Sequence, residues 1–266
     1  MLYKRILTIA GSDSGGGAGI QADIKTISAH GCYAATAITA ITVQNTLGVS
    51  AIHPVPLDII EGQIEAVLSD IGADAIKIGM LHSAEIVELV ARMVDKYSIR
   101  NVVLDPVMVS TSGHRLIEQE AIETLRSTLI PRARIITPNI PEAEILLGRK
   151  ISTQQELPAL ARSLSMEGVS VLLKAGHLED EELIDVIYNA EDQTCTPLSS
   201  KRLSTQNTHG TGCTLSAALA SALAMGLNPT QAAISAKDYI SRAIASGAEY
   251  TIGGGHGPVD HLFAWR

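Results

Sequence analysis

Aromatic residues are almost absent from this chain: one Phe, one Trp and six Tyr make up 3% of its 266 residues. Ala, Ile, Leu and Val must therefore fill the interior, a composition suited to helices packed on a parallel sheet. Cysteine is also scarce. Cys32, Cys195 and Cys213 are odd in number and lack C-x-x-C or other metal-ligand spacing, so neither a disulfide framework nor a zinc site is expected, and a reducing cytoplasm fits. No Lys/Arg-rich block occurs and the formal charge is −8, which argues against nucleic acid or an anionic membrane as the main partner and favours a small solute. No stretch reaches the ~18 uninterrupted apolar residues of a membrane span, since even LSAALASALAMGL is broken by Ser. The start, MLYKRILTIAGSDSGGG, has no long apolar region and no small-residue cleavage site, and reads as a first strand. Nowhere does Lys follow Gly, so a Walker A loop is excluded.

What is present is a regular alternation of β-branched apolar runs with segments of helical periodicity, the pattern of repeated βαβ units in one domain spanning residues 1–266. Strands are expected near Arg5 to Ala10, Tyr33 to Val43, Ala75 to Ile78, Asn101 to Leu104, Arg134 to Ile136 and Ser170 to Leu173. In the first helix, Gly19 to His30, Ile20, Ile24 and Ile27 recur at helical spacing with Gly31 as the C′ residue, and polar residues such as Asp23 are expected to face elsewhere. Between Leu183 and Ser204 short runs broken by turn residues predict an antiparallel edge. Two Ala-rich helices, Thr211 to Met225 and Pro229 to Ala245, and a glycine-rich tail complete the chain.

The segment NTHGTGCTLS puts Gly210 and Gly212 directly before an amphipathic helix. The first N–H groups of a helix have no internal partner and its dipole favours negative charge, so Gly210, Thr211, Gly212 and Cys213 read as a cradle for a developing phosphate. The same dipole lowers a thiol pKa, which makes Cys213 a candidate thiolate and proton acceptor; a buried Cys at a helix entry is the plain alternative. The loop GSDSGGGAGIQAD also joins a strand to a helix through glycines, but the acidic residue of a dinucleotide fingerprint is missing where the next strand ends in TVQNT. Asp105 after NVVL, and Asn139 with Glu142 after RIITP, are expected at the carboxyl edge of the sheet, where hard oxygens suit Mg²⁺. Asp105 also reads as a turn residue before Pro106, and Glu142 as an ordinary helix-start acid. Lys174 ends another strand there and would meet a phosphate as a point charge, or sit solvated at the rim.

Taken together, AGSDSGGGAGIQADIKT, AITAITVQNT, KIGML, LDPVMVSTSG, TPNIPEAEILLG, THGTGC and GGGHGPVDH resemble the ribokinase superfamily across essentially the whole chain. More narrowly, they resemble the hydroxymethylpyrimidine and hydroxymethylpyrimidine-phosphate kinases of thiamin biosynthesis. Most ribokinase-like sugar kinases end the glycine loop in Asp, whereas these pyrimidine kinases carry Cys, as here at Cys213. The resemblance implies a ribokinase-like three-layer α/β sandwich with a mainly parallel sheet, helices on both faces and a small antiparallel edge. It implies ATP as co-substrate, Mg²⁺, and successive phosphorylation of 4-amino-5-hydroxymethyl-2-methylpyrimidine to its mono- and diphosphate by a cytoplasmic homodimer. It also implies that Gln44 reads the aminopyrimidine, with Gly11, Asp23 and Val107 nearby and Met80 against the ring, while Asp105, Asn139, Glu142 and Lys174 serve Mg²⁺ and the ATP phosphates. A side-chain amide offers both a donor and an acceptor, which matches a ring nitrogen beside an exocyclic amine. Pyridoxal kinase and a non-catalytic vitamin-binding regulator are the alternatives, with a thiol-dependent transferase more remote. His209 and His256 are expected to be ordinary loop residues.

Overall fold

The computed structural model of the protein describes residues 3–108, 117–165 and 168–266. Its strands are β1 Arg5–Asp13, β2 Tyr33–Asn45, β3 Gly48–Pro54, β4 Ala75–Ile78, β5 Val102–Leu104, β6 Ile135–Ile136, β7 Ser170–Leu173, β8 Glu182–Asn189 and β9 Thr194–Lys201. Its helices are α1 Gly19–Ala29, α2 Leu57–Ala66, α3 Ala84–Lys96, α4 Gln119–Thr124, α5 Ile140–Leu147, α6 Leu157–Leu164, α7 Thr211–Ala224 and α8 Pro229–Gly247. The end of the LDPVMVSTSG segment, from Val109 to Gly113, lies outside the described residues.

The nine strands form one sheet in the order β3-β2-β1-β4-β5-β6-β7-β8-β9. β2, β1, β4, β5, β6 and β7 run parallel, and β8–β9 form the antiparallel edge that the turn-rich segment predicts. A second antiparallel strand, β3, closes the opposite edge by pairing back on β2. The sequence reading had no place for it, because GVSAIHP carries turn residues at both ends and no apolar alternation.

Alternation along the strands sends side chains into two separate cores. Leu7, Ile9, Ile76, Ile78, Val102 and Leu104 meet the helices α2 to α6 on one face. Ile6, Ala75, Val103, Ile135 and Leu172 meet α1, α7 and α8 on the other, where a run of alanines lets α7 approach the sheet closely. The result is the three-layer ribokinase-like sandwich that the resemblance implies.

One helix is phased differently from expectation. In α1 the buried face contains Ile20, Asp23 and Ile27, while Ile24 is exposed. Asp23 points inward because a cation waits there: Lys77 Nζ on β4 lies 2.9 Å from Asp23 Oδ2, and neither side chain has exposed surface. A buried carboxylate without such a partner would be too costly to keep.

Candidate active site

The chain runs outward from β1 to β2 and β3, then returns to the other side of β1 at β4. At such a reversal the connections leave a crevice above the carboxyl ends of the strands, which is where open α/β sheets bind ligands. A cleft of about 660 Å³ lies there. Gly11, Gln44, Met80 and Val107 line one part of it, and Asp105, Asn139, Glu142, Lys174, Gly210, Thr211, Gly212 and Cys213 another. Asp23 is not among the lining residues; it sits behind the wall, so the pyrimidine contact that the resemblance implies for it is replaced by the pair with Lys77 and a 2.6 Å bond from Thr8 Oγ1.

The glycine loop runs into a helix start, as its sequence suggests. Gly210 caps α7 with φ +80, and a Cβ there would collide with the carbonyl oxygen of Gly17, so only glycine fits. Cys213 stands in the first turn of α7. Gly212 leaves its backbone against two charged groups, with a hypothetical Cβ 3.4 Å from Asp105 Oδ2 and 3.5 Å from Lys174 Nζ.

Asp105 follows β5 and is buried; its Oδ1 accepts from Thr137 Oγ1 at 2.8 Å and from Lys174 Nζ at 3.1 Å. Burial alone would raise its carboxyl, but Lys174, then Lys77 and the Thr137 hydroxyl, hold it below the usual carboxylate range. Lys174 is therefore a paired lysine inside the cleft rather than a solvated rim residue. Asn139 caps α5 in a reciprocal box, accepting from the Glu142 N–H at 2.9 Å while Glu142 Oε2 accepts from the Asn139 N–H at 2.8 Å. Burial pushes Glu142 up to about 7; Lys174 opposes this and the Asp105 charge adds to it.

Cys213 departs from its expected ionisation. Burial pushes the thiol up to about 11, helped by Asp23 and Asp105, against the opposing pull of Lys77 and a hydrogen bond from the Gly19 N–H. The helix start is outweighed because burial disfavours the thiolate, and the two carboxylates behind the sulfur add to that. Without ligands Cys213 is a thiol, and its proton must leave before it can accept another.

At the other end of the cleft, Thr42 Oγ1 lies 3.0 Å from Gln44 Oε1, and Gln44 Nε2 lies 3.3 Å from His209 Nε2. Met80 is buried and packs with Ala40, Val107 and Ile52. The absent side chain of Gly11 makes room for it, since a Cβ there would stand 3.1 Å from the Met80 sulfur.

Lys77 and His209 are among the lining residues that the sequence did not mark. Lys77 interrupts the apolar strand AIKI, and a lysine in a four-residue buried strand is itself a signal that a buried carboxylate must be near. His209, read as an ordinary loop residue, is buried with its Nε2 2.8 Å from Asp13 Oδ2. Only its adjacency to the Gly210 loop hinted at this. His256 instead lies at an exposed turn of the tail.

Residues 13–260 match the family described as Phosphomethylpyrimidine kinase. The hydroxymethylpyrimidine/phosphomethylpyrimidine kinase of Escherichia coli (strain K12) is 46% identical over 266 residues, which cover 98% of this chain and 99% of that one. A phosphomethylpyrimidine kinase crystal structure from Clostridium difficile 630 superposes with a TM-score of 0.80 at 45% identity, covering 91% of this chain and 99% of that one. The pyridoxal kinase from Staphylococcus aureus in complex with AMP-PCP superposes with a TM-score of 0.91 at 35% identity, covering 100% of this chain and 96% of that one.

Proposed function

The chain belongs to the phosphomethylpyrimidine kinase family, and from that premise we propose that it transfers the γ-phosphoryl group of ATP to hydroxymethylpyrimidine and then to the resulting monophosphate, in thiamin biosynthesis. The observation that carries this reading is one cleft in which a side-chain amide and an apolar wall, Gln44 with Met80 and Val107, face a helix start flanked by the Asp105–Lys174 pair. Phosphoryl transfer asks for in-line positioning and for charge stabilisation on the moving oxygens more than for covalent chemistry. The amides from Gly210 to Cys213 would hold the transferring group, Lys174 and Asn139 would steady the ATP phosphates, and Gln44 would fix the ring. Cys213, once ionised, would take the proton of the hydroxymethyl group. The second acceptor is already anionic and needs no strong base.

The residues present fit Mg²⁺. Asp105 and Glu142 lie near enough that the Asp105 charge raises the Glu142 pKa, against the stronger opposing pull of Lys174. Mg²⁺ keeps several waters and binds one or two carboxylates plus substrate phosphates. When bound, such an ion neutralises phosphate charge. Asp105→Ala and Glu142→Ala should each raise the Mg²⁺ concentration needed for half-maximal rate.

The deciding experiment is ATP consumption with hydroxymethylpyrimidine and pyridoxal offered separately and in competition. Faster use of the pyrimidine supports the reading, preferred use of pyridoxal replaces it with a pyridoxal kinase, and binding without consumption leaves a vitamin-binding regulator. The whole chain acts as one kinase domain in this reading, since a single nine-stranded sheet runs through it. A reducing cytoplasm suits its free cysteines. No helix among the described residues is long and apolar enough to cross a membrane. We take the protein as a homodimer joined through the β2–β3 hairpin, where Ile41, Val43 and Leu47 are exposed; sedimentation of Val43→Lys as the same species as the unaltered chain would refute that interface.

A further inference from the structure

The fold brings two glycine loops from opposite ends of the chain into contact, and a buried Asp–His contact with no assigned role joins them. Asp13, at the end of β1, is 3% exposed. Its Oδ1 accepts from the Gly15 N–H at 2.8 Å, and its Oδ2 from the N–H groups of Gly17 at 3.0 Å and Ala18 at 2.8 Å. The same Oδ2 lies 2.8 Å from His209 Nε2, across 196 residues of sequence. His209 is anchored in turn by the tail: its N–H donates to the Gly257 carbonyl at 3.0 Å, and it bridges Pro258. Its ring lies against Gly17, where any side chain would strike Cδ2.

Each loop leads to one half of the cleft. The first is tied to the acceptor end, because Ser14 Oγ donates to the Gln44 carbonyl at 2.7 Å and accepts from the Gln44 N–H at 2.9 Å. The second continues directly from His209 into the Gly210–Cys213 helix start. We propose that Asp13 and His209 are a positioning pair: their buried contact holds the first loop, and Gln44 with it, at a fixed distance from the helix start, so that acceptor hydroxyl and transferring phosphoryl stay in line. This rests on the kinase reading above. Neither residue exchanges a proton with substrate; the pair acts through the loops it joins. In-line transfer needs reacting atoms about 3 to 3.5 Å apart, and a displacement of about 1 Å costs on the order of 10²-fold in rate.

The test uses His209→Ala and His209→Gln, the second because a glutamine amide nitrogen reaches the place of Nε2 and can still donate to Asp13. In His209→Ala, kcat for the pyrimidine should fall on the order of 10²-fold while the ATP Kd stays within about twofold. His209→Gln should recover at least about tenfold of that loss. Backbone hydrogen exchange in His209→Ala should quicken together in residues 13–19 and 209–215, a coupling that needs no substrate to observe. Unchanged kcat, faster exchange confined to 209–215, or no recovery by glutamine would each overturn the proposal. Absence of pyrimidine turnover in the unaltered protein would instead sink the kinase reading, and the exchange measurement would still decide whether the pair couples the loops.

Discussion

Lys77 is the largest fully buried side chain among the described residues, and it stands in a central strand beneath the cleft. Burial by itself would strip such an ammonium of its proton, but Asp23, with Asp105 adding to it, holds Lys77 charged with a raised pKa. The pair fixes how α1 docks on the sheet and sets the charge behind Cys213. Removing one member leaves the other buried and uncompensated, so Lys77→Met should cost roughly 3 to 5 kcal/mol of stability in urea unfolding. Lys77→Met combined with Asp23→Leu should regain most of it, and a double variant no more stable than the single one would refute this account. Cys213→Ala tests the neighbouring group: alcohol phosphorylation should drop by about 10² to 10⁴, with ATP binding retained and phosphorylation of the monophosphate less affected. Because burial pushes the thiol up to about 11, the rate with the alcohol should climb on the alkaline side, and Cys213→Ala should lose that limb of the pH profile. Near-normal single-turnover transfer by the variant would reduce Cys213 to a packed helix residue.

At the scale of elements, legibility in the sequence followed how local the cause was. The starts of α5 and α7 could be read directly, since Asn139-Ile-Pro-Glu142 and Gly210-Thr-Gly212 carry their own capping chemistry. β4 and β7 could be read to the residue because each is a short apolar run between clear breakers. The phase of α1 could not, since it depends on a lysine 54 residues away. The joining of α7 to the tail was equally hidden. Thr214 gives its hydroxyl proton to the Gly210 carbonyl at 2.8 Å, so towards His261 Nε2, 3.1 Å away, it can only accept. Burial pushes the His261 imidazole down to about 4, with Lys25 and His209 acting in the same direction and Asp260 against it. The folded state therefore keeps His261 neutral while the unfolded chain takes up its proton near pH 6.5. The stability this confers is complete above about 6.5 and is lost as pH falls from there towards 4, by at most on the order of 3 kcal/mol. His261→Gln should flatten the dependence of Tm on pH across that window; an equally steep fall in the variant would assign the acid sensitivity to other groups.

For the whole molecule, the formal charge of −8 sets a problem that the cleft must solve, because ATP is itself strongly anionic. Within the cleft most cations are already matched: Lys174 with Asp105 at 3.1 Å and Lys237 with Asp185 at 2.7 Å. The exposed mouth differs. Arg202 turns its guanidinium to the carbonyls of Asp180, Gly176 and Leu178, and Lys201 lies exposed beside it. Both line the opening, where they stand against the acidic stretch Glu179 to Glu182, with Lys201 opposite Glu182 in the β8–β9 ladder. Cations so placed speed the approach of an anion more than they strengthen final binding, and salt screens them. Lys201→Glu, which spares the backbone staple made by Arg202, should therefore slow ATP association several-fold at low ionic strength while changing the dissociation rate little. The two proteins should converge near 1 M salt, where the screening length is about 3 Å. Stopped-flow association measured across salt concentrations separates the possibilities. A difference that persists at high salt would mean that Lys201 contacts the nucleotide directly, and equal rates at low salt would show that the mouth does not steer ATP.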